Sequence, residues 1–230
     1  MIVHPTNWRT IGKSTTLKEL DNLLFSIIKE IRCKNLSFSG GLDSSLILWY
    51  MVKIFGSNNI HCYTIASCYE HPDYIYANKM GRYFNVDVEC YIPYEQPTTP
   101  DDIVKSYYAN LIRQGVKNII TCDGIDEYMC GYYEHQRNLT EATYYSFLRN
   151  LYNNHLEPLN RNSMGVKVFL PYLDKELVFL MSQIPLSMKV NKEHRKVIMR
   201  KLAKGKIPDE IINRWKYGFC DAMRIKGGVK

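Results

Sequence analysis

The stretch Ser39-Gly40-Gly41-Leu42-Asp43-Ser44-Ser45 follows a short apolar run, Leu36 to Phe38, and leads into a helical pattern from Ser44 to about Phe55. Strand, glycine turn and helix in that order leave unpaired backbone N–H groups at a helix start. Such groups carry roughly half a positive charge, and glycines let an anion approach the main chain closely. Ser39, Ser44 and Ser45 add hydroxyl donors. Asp43 fits such a cradle poorly, because a carboxylate repels a bound anion. A Mg2+ ion bridging Asp43 and phosphate oxygens removes the conflict. The alternative is that Asp43 is a helix N-cap and nothing more.

A rival phosphate loop lies upstream. Gly12-Lys13-Ser14-Thr15 looks like the end of a Walker loop, G-x-x-x-x-G-K-[ST], but position 7 holds Asn7 instead of the required glycine and no strand precedes it. Ser14 or Thr15 reads more simply as the N-cap of the helix that starts near Leu17.

Working outward from the loop, Leu17, Leu20, Leu23, Leu24, Ile27, Ile28 and Ile31 recur at three- and four-residue steps, which predicts an amphipathic helix ending near Arg32. Strands are expected at Leu36–Phe38, Ile60–Ala66, Val86–Ile92 and Asn118–Thr121, with helices at Asp73–Phe84 and Asp101–Gln114 between them. Strands alternating with helices imply a parallel sheet covered on both faces. After Gly131 the strand signals fade, and Glu141–Asn153, Asp174–Ser182, Glu193–Lys204 and a short segment from Pro208 read as helical. The expectation is one domain over residues 1–230, with an α/β part at about 17–135 and a helical part at about 136–230 packed on it.

Bulk properties limit the function classes. The chain has 230 residues, 46% hydrophobic, enough to bury a core and too apolar for a disordered chain. No apolar run approaches the ~20 residues of a membrane-spanning helix, and the N-terminus lacks a secretory apolar segment. Seven scattered cysteines without a C-x-x-C pair suggest a reduced, cytoplasmic protein and argue against a zinc site. The net charge of +7 is uneven: residues 189–230 hold 13 of the 30 Lys+Arg and 4 of the 23 Asp+Glu. That basic segment fits a solvated face, a nucleic-acid patch or a lid over a polyanion.

The S-G-G-x-D-S pattern resembles the pyrophosphate loop of the N-type ATP pyrophosphatases, whose fold is the adenine nucleotide α-hydrolase-like one. Three further stretches narrow the resemblance. Thr121-Cys122-Asp123-Gly124-Ile125-Asp126-Glu127 with Gly131-Tyr132 is similar to S-G-[ED]-G-x-D-E-x-x-x-G-Y of asparagine synthetase. Pro171-Tyr172-Leu173-Asp174, with Gly165 before it, matches P-[FY]-L-D, and Lys196–Arg200 and Ile207–Phe219 look like K-x-x-[LM]-R and L-P-x-x-[IV]-x-x-R-x-K-x-G-F. The chain thus resembles the synthetase domain of asparagine synthetase and its relatives, the β-lactam synthetases among them, from about Leu17 to Phe219.

That resemblance implies ATP and Mg2+ as cofactors and an AMP-forming amide ligation. It places pyrophosphate on Ser39, Gly40, Gly41, Asp43, Ser44 and Ser45, and metal on Asp43 and Asp126. Adenosine would lie near Leu36, Ser37 and Ala66, and Gly124 would also contact the nucleotide. Asp123 would orient the reactants or accept a proton, and Lys196 would neutralise charge at the α-phosphate. Arg200, one helical turn on, would face the same way as a second phosphate contact or as a structural ion pair. Lys216 would belong to a lid over the triphosphate, while Glu127 and Tyr132 read as structural.

The expected substrates are a small carboxylate, aspartate by default, and ammonia or an amine; modification of a nucleic-acid base and a non-catalytic ATP-binding protein are the less favoured readings. The sequence departs from the family in three places. Position 2 is Ile2, so the glutaminase nucleophile is missing, which implies free ammonia, another amine, or ammonia from a separate glutaminase. Lys167 and Phe169 replace an E-x-R, and Cys122 replaces a glycine.

Overall fold

The computed structural model describes residues 17–94 and 97–214. Five parallel strands form its sheet: β1 (Asn35–Ser37), β2 (His61–Ile65), β3 (Val88–Tyr91), β4 (Asn118–Ile120) and β5 (Lys167–Phe169), in the spatial order β3-β2-β1-β4-β5. The α/β class and the parallel sheet are those expected from the sequence. The fifth strand corrects the expectation that no strand follows Gly131. It pairs Asn118 with Lys167, Ile119 with Val168 and Ile120 with Phe169. Three residues, of which only Val168 is fully buried, give too short a run for periodicity to register.

Helices α1 (Leu17–Ile31), α2 (Leu42–Phe55), α3 (Pro72–Phe84) and α4 (Pro100–Arg113) accompany the first four strands. In α1 the periodic stripe becomes a buried face of Leu20, Leu24, Ile27 and Ile28, which packs on α2. Helix α2 is apolar on most sides, with Leu46, Ile47, Leu48, Tyr50 and Met51 all inaccessible, as befits a helix inside the domain. Thr99 opens α4 with a capping box to Asp102.

The second half is helical, as expected, but divided differently. After β4 come α5 (Ile125–Tyr128) and α6 (Tyr133–Arg137), which were not foreseen. Then α7 (Glu141–Leu151) passes through a π-helical turn, Tyr152–Leu156, into α8 (Glu157–Asn162). Beyond β5 lie α9 (Lys175–Gln183), α10 (Leu186–Lys189), α11 (Val197–Ala203) and α12 (Asp209–Asn213). The helix expected over 193–204 therefore starts later. Asn191 Oδ1 accepts from the backbone N–H of Glu193 and of His194, and Lys196 adopts a left-handed conformation, φ 54°, as N-cap of α11.

Topology decides where a ligand can sit. Chain order runs outward from β1 through β2 to β3, then returns past β1 to β4. Loops leaving the C-terminal ends of β1 and β4 diverge there, and open parallel sheets bind ligands in that crevice. The glycine loop leaves β1, and Thr121–Gly124 leaves β4.

Candidate active site

A cavity of about 450 Å³ opens at this crevice. One side is built by the strand ends: Ser37, Phe38 and Ser39 after β1, Thr64 and Ile65 on β2, and Thr121 to Gly124 after β4. Asp43 and Ser44 of α2 and Asp126 and Glu127 of α5 continue it. The first turns of α4 and Asn154, His155, Pro158 and Leu159 around the π-turn complete the lining.

The loop itself is held open by glycine. Gly40 has φ +64°, and a Cβ there would lie 2.3 Å from the Tyr76 carbonyl carbon, so the turn rests directly on the α3 backbone. Gly41 is the N-cap of α2, and Asp43 stands in its first turn instead of capping it. Ser39 Oγ and Ser44 Oγ lie 3.3 Å apart, while Ser45 is fully buried beneath them.

Lys196 organises the charges. Its Nζ lies 2.6 Å from Asp43 Oδ2 and 2.7 Å from Asp126 Oδ1, with the lysine side chain only 5% exposed. Burial alone would pull its pKa down, but Asp126 and Asp43 outweigh that and hold it above the ordinary lysine value. Two carboxylates from opposite lips of the crevice thus converge on one cation position. That donor set fits a Mg2+ ion, which takes one or two carboxylates and completes its shell with phosphate and water oxygens.

Several residues that the sequence offered only as parts of motifs, without a role of their own, keep this cluster in place. Gly131 sits against it without room for a side chain, and its carbonyl accepts from Arg195 Nη1 at 2.7 Å. The Arg195 guanidinium in turn lies 3.6 Å from the centre of the Tyr133 ring. Tyr172 Oη donates to the Asp43 carbonyl at 3.1 Å, tying the P-Y-L-D stretch to the loop. Arg214 donates from Nη1 to the Ser39 carbonyl at 2.9 Å and pairs with Asp73 at 2.5 Å, both side chains under 5% exposed.

Of the residues expected at the site, Ser37, Ser39, Asp43, Ser44, Asp123, Gly124 and Asp126 line the cavity. Gly40, Gly41 and Ser45 form the body of the loop, while Leu36 and Ala66 are buried off the cavity wall. Asp123 accepts from Thr121 Oγ1 at 2.5 Å. Arg200 lies away from the wall, its guanidinium bonded to Asn213 on α12. Lys216 lies outside the described residues.

Glu127 and Tyr132 also face the cavity. Tyr132 Oη donates to Glu127 Oε1 at 2.7 Å, and burial, followed by the charge of Asp126, raises the Glu127 pKa. The basic C-terminal stretch is partly internal: Lys189 and Lys196 are buried, and burial pulls the Lys189 pKa to about 8. It is therefore more than a solvated face. No described helix is long and apolar enough to cross a membrane.

A family model matches the stretches of sequence that build this site. The asparagine synthase model covers residues 35–143 and 133–229, which takes in the loop, the Asp123–Asp126 stretch, Lys196 and Arg214. The chain belongs to the asparagine synthase family. Among curated proteins it is similar to a probable glutamine-hydrolysing asparagine synthetase of Acanthamoeba polyphaga mimivirus, 24% identical over 221 residues. That match covers 82% of this chain and 39% of the relative, so the chain spans about two fifths of the relative's length. Among solved structures it resembles an NH3-dependent NAD synthetase from Campylobacter jejuni in complex with nitrate. That likeness has 15% identity and a TM-score of 0.39, and covers 84% of this chain and 98% of that one. It is too loose to bear on function.

Proposed function

We propose that this asparagine synthase family chain is an ATP-dependent, AMP-forming carboxylate–amine ligase. The observation that carries the reading is the convergence of Asp43, on the glycine loop, and Asp126, on α5, upon a single buried cation position at the crevice. A carboxylate substrate, aspartate by default, attacks the α-phosphorus of ATP; the α–β bond breaks and pyrophosphate leaves. Ammonia or an amine, free or supplied by a separate glutaminase, then captures the acyl group and releases AMP.

Ser39, Gly40, Gly41, Ser44 and Ser45 form the cradle that holds the departing pyrophosphate at the start of α2. Asp43 and Asp126 would hold Mg2+, which when bound offsets charge on the phosphate oxygens. Lys196, held beside both carboxylates, would supply positive charge to offset the negative charge developing at the α-phosphate. Asp123, kept in place by Thr121, stands at the cavity wall where the carboxylate and the amine would meet. Most of the rate enhancement in this scheme comes from positioning and charge neutralisation.

The test is carboxylate-dependent exchange of labelled pyrophosphate into ATP, screened over candidate acids. Lys196→Ala and Asp43→Asn are each expected to lower exchange by about 10²–10³-fold, the loss typical of removing one electrostatic stabiliser. Wild-type rates in both variants would remove the mechanism. Binding to nucleic acid that falls steeply with salt would favour adenylylation of a base instead.

A further inference from the structure

Glu141 to Asn162 is one helical run broken only by the π-turn at Tyr152–Leu156. Pro158 explains the break. Inside an α-helix a proline lacks the N–H that would bond four residues back, and its ring pushes against that carbonyl, here that of Asn154. The wider turn absorbs the misfit. π-turns are rare and concentrate where a functional side chain must be aimed. Here the turn places Asn154 and His155 on the cavity wall, beside Glu127 and Tyr132.

His155 is oriented from behind. Its Nε2 lies 3.2 Å from Tyr132 Oη and 3.5 Å from Glu127 Oε1, and its ring stacks on that of Tyr132 at 24°. Glu127 is only 3% exposed, whereas His155 is 44% exposed. One ring nitrogen thus faces a buried carboxylate. The other, Nδ1, makes no hydrogen bond to a described residue. A carboxylate behind one nitrogen favours the tautomer that carries its proton there and leaves the second nitrogen as a lone-pair base, a relation that suits a histidine to accept a proton.

We propose that His155 is the proton acceptor of the amide-forming step, a catalytic residue on the cavity wall backed by Glu127 and Tyr132. This rests on the ligase reading above. The nitrogen lone pair forms the C–N bond to the acyl carbon. The C–O bond to AMP breaks, and its electron pair leaves with the phosphate. The surplus N–H proton passes to His155 Nδ1, and the imidazolium is held by Glu127 and Tyr132.

The experiment compares two readouts of the full chain with ammonium as nitrogen donor: pyrophosphate exchange, which reports adenylylation, and amide yield. For His155→Asn we expect exchange to stay within about twofold while amide formation falls by on the order of 10²–10³-fold, the usual worth of a positioned base. Added imidazole should restore part of the amide yield of His155→Gly. Amide formation at the wild-type rate in both variants overturns the proposal. So does a parallel loss of exchange and amide that imidazole does not relieve, since that marks a structural role. Failure of the ligase reading shows separately, as absence of exchange in the wild-type protein with every acid tried.

Discussion

A methyl group on Gly131 would stand 1.7 Å from Asp126 Oδ1 and 2.5 Å from Lys196 Cε. The glycine is there to let a backbone touch the charged cluster, and the left-handed Lys196 at the head of α11 reaches in beside it. Gly131→Ala therefore has to displace either the carboxylate or the lysine stem. We expect AMP formation to fall by at least about 10²-fold, as for loss of one electrostatic stabiliser. Overpacking should add a stability loss of roughly 1–3 kcal/mol. Steady-state turnover and a urea melt measure the two effects, and an unchanged turnover would mean that the cluster tolerates the shift. The Gly40-Gly41 pair was legible in the sequence because its flanks announce a strand, a turn and a helix. Gly131 was legible only as part of a motif, since what fills the space beside it comes from residue 196.

At the scale of elements, Arg214 is the strap. It leaves the end of α12, bonds the carbonyl of Ser39 in the glycine loop and pairs with Asp73 in the first turn of α3, with its guanidinium 4.5 Å from the Tyr76 ring centre. Three segments far apart in sequence are tied at one point. Arg214→Met leaves Asp73 in the interior without its arginine, which is expected to cost about 3–5 kcal/mol. The double variant with Asp73→Asn should recover much of that loss, because the buried charge goes with it. Denaturant unfolding of the three proteins checks this; equal losses in the single and double variants would show that the charge pair is not the cause. The long helices were readable because their apolar spacing repeats over three or four turns. The π-turn had a signal, Pro158 inside a helical run, but proline alone does not say whether a helix stops, kinks or widens. The fifth strand had almost none, because three residues borrow their extended form from β4.

Across the whole molecule, the same burial that assembles the site makes it sensitive to acid. His135 is 2% exposed behind Tyr132, whose backbone N–H donates to its Nδ1 at 3.3 Å. Burial, reinforced by Lys189 and partly opposed by Asp126, pulls its pKa from 6.5 to about 4. Between those values the unfolded chain binds the proton and the folded chain does not, so this contribution to stability is present above the unfolded value and is lost as pH falls toward 4. The expected slope reaches about 1.4 kcal/mol per pH unit and should be missing in His135→Gln. Urea melts at stepped pH compare the two, and identical slopes would refute it. By itself the sequence determined the α/β class, the glycine loop and the acidic stretch after the fourth strand, because strand and helix periodicity and turn chemistry are local. The family resemblance already put Asp43 and Asp126 on one ion; only the tertiary structure decided that Lys196 bridges them, that Arg214 straps the loop, and that His155 faces the cavity with Glu127 behind it. Those contacts join residues up to 175 positions apart, and what brings them together is the return of the chain past β1 to β4, which no local pattern records.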